Sequence, residues 1–338
     1  MNLSKTATVS LSTEVGGDRG LLVRVSEMLS EESPAVRDRL IVAVLDADQV
    51  QWASFGALRR TEFEIGPLTQ TLTGALYAEA ITRGEVTTCT PVGSLLALGA
   101  GPVGELPLEA LATHTSGLPR LSGSEETVAL LGLVGAHPEL SPWHWDLDDL
   151  LAEADTATIA PASAGEYCVS DLGFALLGHA LAVAAGLPFT ELLEERMLRP
   201  LHLRTTRIPI TDDFGELAAR GHTIDGEYAE PWIMHAYSPA AGVRSTAEDL
   251  VAYSRALLDG GAPGADALLA HRRISESAEA GWGWRHSHGL ITWQAGATGG
   301  QASALLLDRE ARRGVVVLSS TAAPVTELGM RLLLDDGR

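Results

Sequence analysis

Two hydrophobic patterns divide this chain, one typical of strands and one typical of helices. Leu40–Leu45 and Val50–Ser54 are short runs rich in aliphatic residues, and the residues 46–48 between them are typical of a turn. This arrangement predicts a β-hairpin. Thr61–Ile65 alternates between polar and apolar residues and stops at a Gly-Pro pair, which predicts a third strand.

The last quarter of the chain repeats the strand pattern. Four further apolar runs predict consecutive antiparallel strands: Trp282–His286, Leu290–Trp293, Ala302–Leu307 and Gly314–Ser319. A helical pattern over Val325–Leu334 follows them. Strands therefore lie towards both ends of the chain.

Helical spacing of apolar residues dominates the middle of the chain. Leu68–Arg83 has this spacing, with Pro67 suited to the first helical position, and further helical patterns fill Leu106–Met197. Leu21–Ser30 is amphipathic, and Thr246–Leu258 begins with a capping signal.

The order of these elements predicts a mixed α/β (α+β) fold. We expect an antiparallel sheet of about five strands, built from both termini and flanked by helices. Residues 1–66 and 236–338 would form this sheet domain, and residues 67–235 a mainly helical domain inserted into it.

Composition and charge exclude several classes of partner. The chain has 338 residues and a net charge of −20, with no basic stripe, which argues against nucleic acid and anionic membrane surfaces. No run of about 18 apolar residues is free of charge, so no membrane span is predicted. The N-terminus lacks a basic region followed by an apolar one, which predicts a cytoplasmic protein.

The cysteines and histidines give no sign of a metal centre or a cofactor site. Cys89 and Cys168 fit no metal-ligand spacing and imply no disulfide framework, so we expect two ordinary buried thiols. No metal and no cofactor are predicted. The oligomeric state stays open.

Six local strings occur in an order typical of one superfamily. They are FEIGPLTQTLTGAL (63–76), LATHTSGLP (111–119), SDLGFALLGHAL (170–181), PLHLRTT (200–206), SPAAGVRSTAEDL (238–250) and GATGGQAS (296–303). The chain resembles the serine β-lactamase, DD-peptidase and esterase superfamily, in its class C-like branch. The resemblance runs from about residue 40 to residue 320.

The resemblance implies an acyl-enzyme mechanism whose residues this chain lacks. In the family a serine at a helix N-terminus attacks an acyl carbon, a lysine one turn later accepts its proton, and a tyrosine relays protons. The corresponding positions here hold Pro67, Gln70 and Val169. The family's asparagine is Asp171, and its Lys or His on the last sheet strand is Ala297.

Two observations make this loss independent of the exact register. Lys5 is the only lysine, so the chain contains no Ser-x-x-Lys motif. Proline has no backbone N–H, so Pro67 also removes the oxyanion donor that the nucleophile residue normally supplies. Losing one such donor costs about 3–4 kcal/mol of transition-state stabilisation. The sequence therefore predicts no acyl-enzyme chemistry.

Other side chains near the resembling motifs are candidates for a changed chemistry. Asp171 could be an acid or base in a cleft, or a helix N-cap or first-turn acid that complements the helix dipole. His235 could transfer protons, with Tyr237 in a similar role, although a lone histidine is more often structural. We expect a largely hydrophobic pocket, with Asp171, His235 and Tyr237 as candidate catalytic residues and these binding residues: Gln70, Thr298, Trp232, Val169, Pro67 and Ala297.

Three functions fit a cleft without covalent machinery. The first is a retooled cytoplasmic enzyme of specialised, antibiotic-type metabolism that acts non-covalently on a hydrophobic small molecule, by cyclisation, isomerisation, elimination or general acid–base chemistry. The second is a catalytically silent binding or regulatory protein, and the third is a residual serine hydrolase or esterase. We favour the first on the sequence, because Pro and a carboxylate at family positions suggest altered function while the structural motifs stand nearly intact.

Overall fold

A nine-stranded antiparallel sheet forms the centre of the computed structural model, which describes residues 10–31, 36–46, 49–121, 145–159, 165–212, 214–276, 278–287 and 291–335. The strands in this sheet are β2 (Val15–Gly17), β4 (Leu40–Asp46), β5 (Gln49–Phe55), β10 (Arg272–Arg273), β11 (Ala278–Ala280), β12 (Arg285–Ser287), β13 (Ile291–Ala297), β14 (Ala302–Asp308) and β15 (Arg313–Ser319). Their order is β10-β11-β12-β13-β14-β15-β4-β5-β2.

The remaining strands form small two-stranded sheets. They are β1 (Ser10–Leu11) with β3 (Val36–Arg37), β6 (Glu62–Glu64) with β9 (Arg244–Thr246), and β7 (Gly221–His222) with β8 (Tyr228–Ala229). The β6–β9 pair joins the third predicted strand to the segment that precedes a long helix, with Phe63 opposite Ser245.

The long strands confirm the sheet predicted from sequence. Five strands of seven residues each (β13, β14, β15, β4 and β5) lie side by side, and four shorter strands extend this core at its two edges. The predicted strand over 282–286 is shorter than expected and begins only at Arg285. The chain turns before it, where Gly283 has a φ of 77° and the Gly281 N–H donates to Trp284 O.

Helices cover both faces of the sheet. They are α1 (Arg19–Ser30), α2 (Thr69–Thr82), α3 (Leu108–Ala112), α4 (Leu147–Thr156), α5 (Asp171–Ala185), α6 (Phe189–Leu193), α7 (Ser238–Ala241), α8 (Ala247–Leu258) and α9 (Thr326–Leu334). α1 and α9 pack on one face through buried residues such as Leu21, Val25 and Leu328. The other face packs against α2, α8 and the helices of the middle of the chain.

The start of α2 is held tightly against the end of β13. A 3₁₀ turn, Gly66–Leu68, leads into the helix, so Pro67 lies in this turn rather than at the first α-helical residue. Gly66 has a φ of 51°, and a Cβ there would lie 3.1 Å from the backbone of Ala297. Gly296 likewise has no room for a side chain, because its Cβ would lie 1.9 Å from Ile65 O. Glycine at these two positions is therefore what lets Pro67 approach Ala297.

The structure bears on two other expectations, the burial of the cysteines and the absence of a membrane span. Cys89 and Cys168 are both exposed, so the prediction of buried thiols is wrong; both lie in irregular segments outside the packed helices. Within the described ranges no single helix is long and apolar enough to cross a membrane, although the bent pair Asp171–Ala185 and Phe189–Leu198 passes the same test by length and composition.

Candidate functional site

A pocket of about 240 Å³ lies where the start of α2, the segment before α5 and the end of β13 meet. Four of the residues proposed from sequence line it: Pro67, Gln70, Val169 and Ala297. Arg120 and Arg285 also line it, and residues 294–296 and 324–326 complete most of the wall.

Gln70 joins the pocket to a buried polar network behind it. Its amide Nε2 donates to Asp171 Oδ1 over 2.9 Å. Its Oε1 accepts from His114 Nε2 over 3.1 Å and from Gln294 Nε2 over 3.4 Å. Both polar atoms of the Gln70 side chain are therefore hydrogen-bonded to neighbouring protein groups.

His114 is a neutral, structural member of this network. The Ser170 N–H donates to Nδ1 over 3.1 Å, so Nε2 carries the proton that reaches Gln70. Burial, with a smaller effect of the Arg285 charge, lowers the pKa of His114 to about 3. Because both ring nitrogens are engaged and protonation is disfavoured, His114 is not available as a general base near neutral pH.

Asp171 lies behind Gln70, at the first turn of α5, and only 5% of the residue is exposed. Ser170 caps this helix by accepting from the Gly173 N–H over 2.9 Å, so Asp171 itself is not the cap. Burial raises the pKa of Asp171, while Arg120 and the Gln70 hydrogen bond oppose this shift. Asp171 thus borders the pocket through its partners and is not among the lining residues.

Two arginines give the pocket a cationic wall that the sequence did not predict. Arg120 Nε lies 3.4 Å from Asp171 Oδ2, and its side chain is 62% exposed. The Arg285 guanidinium lies over the Trp293 ring, 5.1 Å from its centroid, and 5.8 Å from that of Tyr167. Among the described residues, the buried Nε of Arg285 has no hydrogen-bond partner. The pocket therefore combines apolar walls with positive charge, whereas the sequence predicted a largely hydrophobic pocket.

Thr298 and Trp232 are held by a separate buried acid, Glu64. Thr298 Oγ1 donates to Glu64 Oε2 over 2.5 Å, and the Trp232 backbone N–H donates to Glu64 Oε1 over 2.9 Å. Thr298 is 7% exposed, Trp232 is half-buried beside Gly299, and neither lines the pocket. Their expected place as pocket walls is not observed, because Glu64 draws Thr298 into the interior.

His235 and Tyr237 are also separated from the pocket. Tyr237 is fully buried in the hydrophobic core, where no ligand can reach it. His235 is exposed and has a φ of 40°, at the start of the 3₁₀ turn His235–Tyr237. The two carboxylate oxygens of Asp171 bond to Gln70 and Arg120, so its contacts are with these two side chains and not with His235.

The start of the helix contributes no reactive side chain to the pocket wall. Pro67 occupies the start of the helix and has neither a hydroxyl nor a backbone N–H. Of the hydroxyls on the wall, Ser303 Oγ donates to Ile65 O over 2.8 Å. In the part of the chain that the structure describes, no group of three or more His, Cys, Asp or Glu residues could hold a metal ion.

Sequence reasoning missed Arg120, Arg285, Gln294 and His114. His114 lies within the string LATHTSGLP and Arg120 directly follows it, so the sequence offered a signal for both. Arg285 and Gln294 had no such signal, since the antiparallel pairing of Arg285 with Trp293 depends on the fold.

Comparison with known proteins agrees with this architecture. A family model described as "Beta-lactamase" matches residues 36–336. A "Beta-lactamase" of Pseudomonas fluorescens is 26% identical over 226 residues, which are 63% of this chain and 58% of that protein. The "D-alanyl-D-alanine-carboxypeptidase/endopeptidase AmpH" of Escherichia coli K12 is 30% identical over 198 residues, 54% of this chain and 49% of that protein. The chain thus spans about half the length of these curated relatives.

Solved structures share the fold over nearly the whole chain. The class C beta lactamase from Rhodobacter sphaeroides matches with a TM-score of 0.78 and 19% identity, over 94% of this chain and 99% of that one. A beta-lactamase/D-alanine carboxypeptidase from Pseudomonas syringae matches with a TM-score of 0.77 and 18% identity, over 94% of this chain and 98% of that one. Because the family model covers nearly all of the chain and the fold is the same, this protein belongs to the Beta-lactamase family.

Proposed function

We propose that this protein is a non-covalent small-molecule-binding member of the Beta-lactamase family, whose cleft recognises a ligand with an anionic group and an apolar body. The observation that carries the proposal is the contrast at the pocket wall. Pro67 and Ala297 stand at the resembling positions of the nucleophile and the last-strand cation, while Arg120 and Arg285 face the same space. Recognition groups are present there, and the resembling catalytic positions on the wall hold no serine and no lysine.

The chemistry of the wall supports an anionic ligand. An arginine offers several N–H donors in a fixed plane and binds carboxylate or sulfonate groups in a bidentate manner. The Arg285 guanidinium lies over the rings of Trp293 and Tyr167, which hold it at the pocket wall.

The size of the pocket fits a small ligand. A volume of about 240 Å³ suits a molecule of one ring with a few substituents rather than a polymer. Pro67, Val169 and Ala297 supply apolar contacts for the ring.

A second candidate is the retooled enzyme of specialised metabolism, acting without an acyl-enzyme. One observation favours it: burial raises the pKa of Asp171, the direction of shift expected of a carboxyl group that acts as a general acid. Asp171 is not on the pocket wall, and its contacts Gln70 and Arg120 are an amide and a permanently charged guanidinium, neither of which relays protons. Binding is therefore the better supported of the two functions.

The binding proposal is tested with benzenesulfonate, an aromatic anion whose charge does not change with pH. We expect calorimetry to show binding to the wild type and a loss of at least about tenfold, or 1.4 kcal/mol, in Arg285→Gln. Arg273→Gln is the matched control, since Arg273 is an exposed arginine of β10 that does not line the pocket. Equal affinity of Arg285→Gln and the wild type, or no binding to the wild type, would contradict the proposal.

A further inference from the structure

Arg120 has two roles in the cleft that compete with each other. It lines the pocket, and it is the cation that contacts the buried Asp171. The distance from Nε to Asp171 Oδ2 is 3.4 Å, which is longer than the roughly 2.7–2.9 Å typical of a charge-assisted hydrogen bond. The side chain is 62% exposed, so the pair is loose on the side of the arginine and buried on the side of the acid.

The groups that surround Asp171 leave it as the one whose charge can respond to a ligand. Arg120 of the 113–121 loop is the charged side chain in contact with Asp171. The other charged or titratable side chains of the same network and pocket are His114 of that loop, Tyr167 of the segment before α5, and Arg285 of β12. α2 contributes the neutral Gln70. The segment 235–241 packs against α5 two turns further along, where His179 Nε2 donates to Ala236 O.

The surroundings of these groups hold their charges fixed. His114 stays neutral, because Nδ1 accepts from the Ser170 N–H and the ring is buried. The arginines stay cationic at any ordinary pH. Burial raises the pKa of Tyr167, which keeps its hydroxyl neutral.

We propose that binding of an anion in the cleft draws Arg120 away from Asp171, and that Asp171 takes up a proton from solvent as it binds. This inference rests on the proposed function and adds a regulatory property to the same site. An anionic ligand removes the opposite charge from Asp171 and adds a like charge nearby, and both changes favour the neutral carboxyl group. The protonated acid still accepts from Gln70 Nε2 at Oδ1, so the network behind the pocket stays intact. No covalent bond forms or breaks in the ligand.

The consequence is that anions bind more tightly as the pH falls. By linkage, a site that gains one proton on binding gains up to about tenfold in affinity for each pH unit, over the range in which Asp171 is ionised without ligand and protonated with it. Lowered pH would therefore load this site, and raised pH would empty it.

The test is calorimetric titration of benzenesulfonate into the intact protein at pH 6.5, in two buffers that differ in their enthalpy of ionisation. We expect the wild type to show net proton uptake with the ligand, and Asp171→Asn to show none. The amide keeps the shape of the side chain and can still accept from Gln70. Asp171→Asn should also bind with an affinity that does not change between pH 5.5 and pH 8, close to that of the wild type at low pH. Arg273→Gln should keep the proton uptake of the wild type.

Each outcome bears on one of the two claims. Binding without proton uptake in the wild type overturns the linkage and leaves the anion site standing. Proton uptake that persists in Asp171→Asn overturns the assignment to Asp171. Failure of the wild type to bind benzenesulfonate at all of these pH values overturns the proposed function, and the linkage with it. If Asp171→Asn does not fold, Arg120→Gln provides the second variant: it should bind more weakly and show no proton uptake.

Discussion

Two buried acids near the cleft, Glu64 and Asp171, have the same burial and different counter-ions. Burial raises the pKa of both carboxyl groups, and an arginine opposes the shift in each case. The partner of Glu64 is Arg244, whose side chain is 1% exposed, whereas the partner of Asp171 is the 62% exposed Arg120. The counter-ion, rather than the acid, separates a structural ion pair from one that a ligand can reach.

The cluster around Glu64 is built on the buried Arg244, and Arg207, which pairs with Glu62, is its exposed member. Arg244 Nε donates to Glu62 Oε1 over 2.6 Å and Nη1 donates to Glu64 Oε1 over 3.1 Å. The Arg244 guanidinium also lies 4.3 Å from the centroid of the Phe214 ring. These contacts join β6 to β9 and, through Glu64, fix Thr298. No member of this cluster lines the pocket, so we assign it a structural role.

The largest difference between the two regions should appear on removal of the arginine. Arg244→Met leaves Glu64 buried without its cation and Glu62 with Arg207 alone, and we expect it to lower the free energy of unfolding by about 3–5 kcal/mol. Urea denaturation followed by circular dichroism measures this change. A loss below about 1 kcal/mol is typical of exposed ion pairs. Such a result would show that the Glu64 cluster contributes no more to stability than an exposed pair does.

The pH dependence of stability should be dominated by His114. Its pKa is lowered from 6.5 to about 3, chiefly by burial, so the folded state holds fewer protons than the unfolded state between these values. The stability from this group is complete above pH 6.5 and is lost as the pH falls towards 3, by up to about 1.4 kcal/mol per pH unit.

His114→Asn isolates this effect from other groups. Burial also lowers the pKa of His286 to about 4 and that of His179, which adds acid sensitivity of the same sign. The raised pKa values of Asp171 and Glu64 act in the opposite sense, since their contribution is present at low pH and lost as the pH rises. Urea midpoints at pH 7.5, 6.5, 5.5 and 4.5 should fall less steeply in His114→Asn than in the wild type. Parallel curves would contradict a buried neutral histidine.

A moderate loss of stability is expected when Gln70, which links the buried polar network to the pocket, is replaced. Gln70→Ala leaves the buried His114 Nε2–H and Asp171 Oδ1 without that partner, and we expect a loss of about 1–3 kcal/mol in unfolding free energy. Gln51→Ala is the control, because Gln51 is an exposed glutamine whose Oε1 accepts over 3.4 Å from Arg24. Equal stability of the two variants would show that the network contributes nothing measurable.

The smallest change in stability should come from the counter-ion of Asp171. Arg120→Met removes a largely exposed cation, so we expect a loss below about 1 kcal/mol, in contrast to Arg244→Met. The same variant should weaken binding of benzenesulfonate at least several-fold, measured by calorimetry. A stability loss as large as that of Arg244→Met would remove the distinction between the two regions.

The sheet was predictable from sequence because each long strand is a run of apolar residues with a local signal. Leu40–Asp46, Ala302–Asp308 and Arg313–Ser319 were identified to within two residues at each end. The capping signal before α8 was equally local, and Thr246 accepts from the Asp249 N–H as expected.

The site was predictable only where it coincided with family motifs. Pro67, Gln70 and Ala297 were located by their place in the quoted strings, and Val169 by its place directly before one of them. Arg285 reaches the pocket through strand pairing, a contact between segments that no spacing encodes. Thr298 is turned inwards by Glu64, an interaction across 234 positions of sequence. The direction of a side chain in a polar network depends on all the residues of that network. A sequence motif identifies only one of these residues.

The central claim is that this cleft binds small molecules without forming an acyl-enzyme, and the mass of the intact protein after incubation with benzylpenicillin tests it most directly. We expect the mass to stay that of the unmodified protein at every time point, because Pro67 offers neither a nucleophile nor an oxyanion donor. A stoichiometric covalent adduct that maps to any serine of the pocket would contradict the account.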